Sequence, residues 1–597
     1  MPPAPRIFVT GIGLVTSVGE TRDATWSALF RGERGIFPID LFDTTGQRAS
    51  LGGTVRRLTM DAAPKEQRGG AWSRSTLLAL FAAREAMAQA HVDPSHARVG
   101  LVVGATTGGM FETEARLAAL HVDPDSQEDL LEMLSHPLTS TGDCLDDAIG
   151  PFWQIRTLSS ACSSGANALV VAANWLLSGQ LDAVVAGGTD GLCRLTLSGF
   201  NALAAIDPEP SRPFDRRRRG LNLGEGAGFL VLERSARALG RGIEPIAELA
   251  GWALGAEAHH ITNPEPSGAA AGRIIGAAMR DAGLDARSID YVNAHGTGTP
   301  LNDPMESAAL ALALGGELAR VPVSSSKAQI GHTLAAAGAI EAGITALAIQ
   351  KQAIVPTAGL DEPDPACPLV HVPHMGREIR VRAAITNSFG FGGMDSALVF
   401  VQPGMFPTRD RTRRRVVITG ASALTPRSLC GTLDCDQVLA VPGERESDAP
   451  APDTERGHGR AVVSSRVIGL DLGAQLDLAR ARRLDRSARM GALVAERAYE
   501  ESGALTHGAR DRIGVVLGSS FGSISASAAF MHRVFEKGPR FASPAEFPNL
   551  VPSSPVGHVS IYLGIGGPVL ATADLAASGE SAWAQAIELV EGGEADV

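Results

Sequence analysis

Short apolar runs bounded by glycine alternate with alanine-rich stretches of helix length, and this alternation limits the fold more than any other feature. The runs fall at 7–10, 99–103, 183–186, 229–232, 291–294, 321–324, 383–386 and 397–401. Each reads as a buried strand, and the helices between them predict a layered α/β protein. Residues 163–177 are apolar almost all round, which predicts a helix buried between two sheets.

Composition narrows what such a protein can do. A net charge of −12 argues against a nucleic-acid-binding face, with the run Arg216-Arg217-Arg218-Arg219 as a local exception. The six cysteines show no CxxC or Cys/His spacing, so no metal is expected. No apolar run reaches the ~18–20 residues that span a bilayer. The first residues lack the apolar core of a signal peptide. These features predict a cytoplasmic protein that binds neither membrane nor nucleic acid.

The chain also repeats itself. Arg98-Val99-Gly100-Leu101-Val102-Val103-Gly104 returns as Arg512-Ile513-Gly514-Val515-Val516-Leu517-Gly518, and Ala161-Cys162-Ser163-Ser164-Gly165 returns as Leu575-Ala576-Ala577-Ser578-Gly579. Both pairs share an offset of 414 residues, and Val9-Thr10-Gly11 returns within five residues of it, as Ile418-Thr419-Gly420. This order predicts a second copy of the N-terminal region over 415–597. That copy holds no counterpart of anything beyond about residue 183. Residues 403–414 read as a linker, and 436–459, rich in Pro, Glu, Asp and Gly, as an exposed insert.

Four segments carry chemistry. Cys162 precedes the buried helix, where the dipole and free N–H groups would lower a thiol pKa and favour thiolate. Standing alone it would be a small buried hydrophobe. Asn293-Ala294-His295-Gly296-Thr297-Gly298-Thr299-Pro300 ends a strand in a glycine-rich turn, where sites of α/β folds lie. Ser324-Ser325-Ser326-Lys327-Ala328-Gln329-Ile330-Gly331-His332-Thr333 leads into an alanine-rich helix, and a lysine buried there needs a partner. Asn387-Ser388-Phe389-Gly390-Phe391-Gly392-Gly393 places N–H groups where they can point into a cavity.

Together and in this order, Cys in Ser-Ala-Cys-Ser-Ser-Gly, His in His-Gly-Thr-Gly-Thr, Lys-x4-His and Gly-Phe-Gly-Gly resemble the elongating β-ketoacyl–acyl-carrier-protein synthases of fatty acid and polyketide synthesis. Pro213-Phe214-Asp215 and Gly224-Glu225-Gly226-Ala227-Gly228 add to the likeness, which covers residues 6–402. The resemblance implies a thiolase fold of five layers, α-β-α-β-α, with halves at 1–245 and 246–402. A Cys-less second copy resembles the chain-length-factor partners of type II polyketide ketosynthases.

The resemblance also implies roles. Cys162 takes an acyl group from the phosphopantetheine of an acyl carrier protein, and no other cofactor is needed. His295 and His332 promote decarboxylation of the malonyl unit. Lys327 supports His332, with Glu306 as a partner behind it. The N–H groups of Cys162 and Phe391 form an oxyanion hole, and Phe391 also acts as a gate. Thr297 and Thr299 bind pantetheine, while Thr107, Phe389 and Gly392 line the substrate path. Dimerisation, with a second copy of the chain or in a ketosynthase/chain-length-factor manner, is expected.

Three departures stand out. Met394-Asp395 replaces the Thr-Asn usual after Phe-Gly-Gly, which puts a carboxylate near the site. Arg218-Arg219-Gly220-Leu221 stands where the family often has Arg-Asp-Gly-Phe, and the arginine run either docks an acidic carrier or forms an internal turn. Thr107 is polar on the acyl path, which weighs against a long saturated chain. Other readings fare worse. Val416-Val417-Ile418-Thr419-Gly420 resembles the start of a short-chain dehydrogenase, but Gly503 and Gly566 stand where its Tyr-x3-Lys needs lysine. Gly518-Ser519-Ser520-Phe521-Gly522 fits a hydrolase elbow, yet its first-copy counterpart has Thr106 in the nucleophile slot, so a structural turn is the better reading. An acyltransferase or initiating decarboxylase, and an idle scaffold partner, are the alternatives of function.

Overall fold

A computed structural model describes residues 5–64, 72–123, 130–408, 413–424, 429–430 and 475–597. The expected insert at 436–459, and 409–412 of the expected linker, lie outside these residues. Every apolar run named above lies in a strand, and strands outside those runs, at Gln154–Ser159, Ala247–Ala256 and Val370–His371, join them. In the N-terminal half these are β1 (Ile7–Val15), β2 (Val99–Gly104), β3 (Gln154–Ser159), β4 (Ala183–Asp190) and β5 (Gly226–Arg234). In the C-terminal half they are β6 (Ala247–Ala256), β7 (Tyr291–Asn293), β8 (Pro322–Ser324), β9 (Val370–His371), β10 (Ala383–Gly390) and β11 (Met394–Val401).

Helices make the layers. α1 (Arg74–Ala90) covers the outer face of the first sheet, and α3 (Ala269–Asp281) with α4 (Asn302–Leu314) covers the outer face of the second. Between the sheets lie α2 (Ser164–Ser178) and α5 (Ala337–Lys351). α2 is buried without a break from Ser164 to Leu176, and α5 from Ala337 to Ile349. Helices of Ala, Val, Leu and Ile suit this place because small side chains let both sheets approach, and each large aliphatic buried contributes roughly 1.5–3 kcal/mol. The five-layer thiolase-like architecture follows. The sheets are joined at one corner, because Ile7, Phe8 and Val9 pair antiparallel with both β5 and β6.

The second copy adds β12 (Val515–Gly518) and β13 (Val569–Thr572), with α6 (Arg486–Ser502), α7 (Ser554–Leu563) and α8 (Ser578–Gly592). α8 matches α2 residue for residue at the 414-residue offset. Even the backbone strain recurs: Ala161 has φ 53° and Leu575, its counterpart, φ 48°. A left-handed non-glycine residue costs on the order of 1–3 kcal/mol, so its recurrence reflects the same turn built twice.

The two copies form one sheet of thirteen strands, ordered β9-β8-β7-β10-β11-β6-β1-β5-β4-β2-β3-β13-β12. At the seam β13 runs antiparallel to β3, with Thr572 opposite Leu158 and Ala571 opposite Ser159. Thr572 is itself the offset equivalent of Leu158, so the two copies meet about a local two-fold axis, as in an isologous dimer. Arg156 of β3 crosses the seam to Gln585 and Glu588 of α8 at 3.0 Å each, and Trp175 Nε1 donates to Glu588 at 3.0 Å.

The arginine run forms a turn in which the Arg218 side chain is nearly buried while Arg216, Arg217 and Arg219 are exposed. Arg217 pairs with Asp215 and Asp361, Arg218 with Asp364, Arg219 with Asp207 and Glu209, and Arg216 with Glu362. Each of its four guanidinium groups is paired with a neighbouring carboxylate.

Candidate active site

Cys162 stands where two cavities meet. One runs between the copies and is lined by Thr106, Thr107, Met110, Leu195, Ser520 and Phe521 among others. The other holds His295, His332, Thr297, Thr299, Phe389 and Asp395. Cys162, Phe200 and Phe391 line both. Phe391 stacks on Phe200 with ring centres 5.4 Å apart, so the pair forms a partition beside the thiol.

The thiol is not the depressed group that the helix terminus predicts. It is 6% exposed, and burial pushes it up to about 12. The Lys327 charge and the Phe391 N–H oppose this without overcoming it. Desolvation wins because α2 begins inside the protein rather than at its surface. The N–H groups of Phe391 and Cys162 both bear on the sulfur.

The histidines are neutral. Burial, and after it the charge of Lys327, holds both His295 and His332 well below the usual imidazole range. Their rings stand edge to face with centres 5.3 Å apart. His332 Nδ1 accepts the Leu334 N–H at 3.1 Å, and His295 Nδ1 faces Lys327 Nζ at 3.2 Å. With each Nδ1 accepting, the ring proton of each neutral imidazole is assigned to Nε2.

Lys327 acts on His332 through its charge, the electrostatic part of the expected support, while its ammonium hydrogen bonds go to Glu341 and His295. Glu341 is a lone carboxylate on an otherwise apolar face of α5, a signal the sequence offered. Glu306 does not reach Lys327. It accepts the N–H groups of His295 at 2.8 Å and Gly296 at 2.7 Å, and so fixes the turn that aims His295. Asp190 was also missed: it accepts the Thr107 hydroxyl and the N–H groups of Thr106, Thr107 and Ala335.

Thr297 and Thr299 share a hydrogen bond of 3.0 Å on the wall of the second cavity, and Phe389 packs against His295 with ring centres 5.5 Å apart. Gly392 is in neither wall. With φ 84° it turns the chain, donates its N–H to Ile261 at 2.7 Å, and abuts Gly557 of α7.

A family model described as "Beta-ketoacyl synthase, N-terminal domain" matches residues 4–238 and 413–597, and "Beta-ketoacyl synthase, C-terminal domain" matches 246–361. The 3-oxoacyl-[acyl-carrier-protein] synthase 2 of Synechocystis sp. is 34% identical over 411 residues, 66% of this chain and 97% of that one. Nodulation protein E of a Rhizobium species is 35% identical over 401 residues, 66% of this chain and 99% of that one. Among solved structures, the ishigamide ketosynthase/chain length factor superposes with a TM-score of 0.63 at 30% identity, covering 67% of this chain and 100% of that one. The PfaC keto synthase–chain length factor is 18% identical and so speaks only to fold. It superposes with a TM-score of 0.75, covering 99% of this chain and 73% of that one.

Proposed function

The chain belongs to the β-ketoacyl synthase family, and on that premise we propose that Cys162 carries the growing acyl group while His295 and His332 act on the malonyl extender. The enzyme is an acyltransferase of the 3-oxoacyl-acyl-carrier-protein synthase type, serving fatty acid or polyketide synthesis. The observation that carries the residue assignment is the position of Cys162 at the junction of two cavities, one largely apolar and one holding both imidazoles.

In the first step the Cys162 sulfur attacks the carrier thioester, and its proton leaves with the carrier thiol. In the second, malonyl thioester enters the other cavity past Thr297 and Thr299. The two Nε2–H groups hold its thioester oxygen as carbon dioxide departs, which stabilises the enolate that forms. The enolate carbon then attacks the acyl-Cys162 carbonyl, whose oxygen is held by the N–H groups of Cys162 and Phe391. Collapse releases the β-ketoacyl carrier thioester, and Cys162 regains a proton from solvent. Phe391 moves off Phe200 as the gate between the cavities.

The second copy is a non-catalytic partner within the chain. Ala576 stands where the thiol would be, and Ser519, Ser520, Phe521 and Phe547 close the far side of the acyl cavity. The edge of β3 that a second chain would pair with is already occupied by β13. Acyl and malonyl carrier proteins given together to wild type should yield β-ketoacyl carrier and carbon dioxide, and His295→Ala should acylate yet fail to decarboxylate. Condensation retained in His295→Ala would overturn the assignment.

A further inference from the structure

Asp395 introduces a carboxyl group that the steps above do not use. It is the second residue of β11 and lies opposite Phe389 of β10, so both side chains stand on one face of the hairpin. Phe389 packs on His295, and Asp395 lines the same cavity as Cys162, His295 and His332. The residue is 2% exposed. Its carboxyl takes the Gly390 N–H, while Oδ2 has no hydrogen-bond partner among the described residues. The residue lines the cavity wall while Oδ2 itself is covered by neighbouring atoms, and a buried polar atom left unsatisfied is expensive unless a small side-chain movement lets a group in the cavity complete it.

Its surroundings set its charge. Glu257, at the end of β6, also lines the cavity, and its own carboxylate accepts the Glu265 N–H at 3.0 Å. Glu306 of α4 adds a second negative group, and Arg273 of α3 the opposing positive one. Arg273 is itself drawn to Asp511 of the second copy and to the carbonyl of Gly566 at 3.1 Å. The imidazoles of His295 and His332 are neutral. Burial first, then Glu257, raises the affinity of Asp395 for its proton, and two such carboxyls cannot readily both ionise.

Resting on the ketosynthase reading, we propose that Asp395 is a specificity residue whose carboxyl O–H donates a hydrogen bond to the free carboxylate of the malonyl extender. Such an O–H···O⁻ bond is charge-assisted and about twice as strong as a neutral one. An ionised Asp395 would instead repel the substrate. The bond is made to the bound extender and kept until the carbon–carbon bond breaks, so it binds ground and transition states alike and governs KM more than kcat.

The test is the KM for malonyl carrier protein against pH in wild type, Asp395→Asn and Asp395→Leu. Acyl transfer onto Cys162, which involves no extender, reports that each variant is folded. In wild type KM should rise with pH as the proton is lost. In Asp395→Asn, whose amide is a permanent donor, KM should lose that pH dependence. In Asp395→Leu it should rise about tenfold or more at neutral pH, with kcat changing less. Equal KM and equal pH profiles in all three proteins would overturn the proposal. Should Asp395→Leu not fold, the pH profile of Asp395→Asn decides alone. Failure of wild type to condense at all would overturn the ketosynthase reading and this proposal with it, whereas normal condensation with indifferent Asp395 variants removes this proposal alone.

Discussion

At the scale of single residues, the site depends on one buried cation. Lys327 is 1% exposed and Glu341 1%, so each charge is tolerable only beside the other. Glu341→Ala should destabilise the protein by about 3–5 kcal/mol, read as a lowered midpoint in chemical denaturation, because an uncompensated charge is left inside. The same ammonium helps to keep both imidazoles neutral. Their affinity for protons is lowered, so they stay uncharged at and below pH 6.5 and charge only in stronger acid. The rate of malonyl decarboxylation should therefore show no acid limb near 6.5, and a limb there would contradict the assignment. Cys162, His295, Lys327, His332 and Phe391 were legible in the sequence because short motifs carry them. The partners were less so: a motif names a lysine but not the carboxylate fourteen residues away that neutralises it. The thiol's protonation was misread because sequence shows a helix start, while the depth at which that start is buried is a property of the packed protein.

At the scale of elements, the seam between β3 and β13 holds the second copy in place. Arg156 and Trp175 on the first copy converge on Glu588 of α8, and Arg156 is nearly buried. Glu588→Ala should cost about 3 kcal/mol or more, and should lower the temperature at which the second copy detaches, followed by limited proteolysis with heating. A wild-type-like melting profile would mean that strand pairing alone carries the seam. Strands and buried helices were readable from apolar runs and from the alanine-rich stretches, since burial on both faces leaves a continuous apolar signature. The repeat was readable too, through its 414-residue offset. The seam was not, because edge pairing is made by backbone groups that leave no residue pattern.

At the scale of the whole molecule, the two copies within one chain pair as two subunits related by a two-fold axis would. The local two-fold at Leu158 and Thr572 leaves the β3 edge covered by the second copy, which also lines the cavity at Cys162. Sedimentation should therefore give a single 61.9 kDa species at micromolar concentration; a dimer that persists on dilution would contradict the substitution of partner by copy. The strongest single test bears on the asymmetry of the copies, since they share a turn, a strain and a helix but only one carries a thiol. Intact-protein and peptide mass spectrometry after incubation with acyl carrier protein should find one acyl group per chain, on the Cys162 peptide. It should find none on the peptide holding Ala576 and none anywhere in Cys162→Ala. An unlabelled wild type, or a label that survives in Cys162→Ala, would contradict the account.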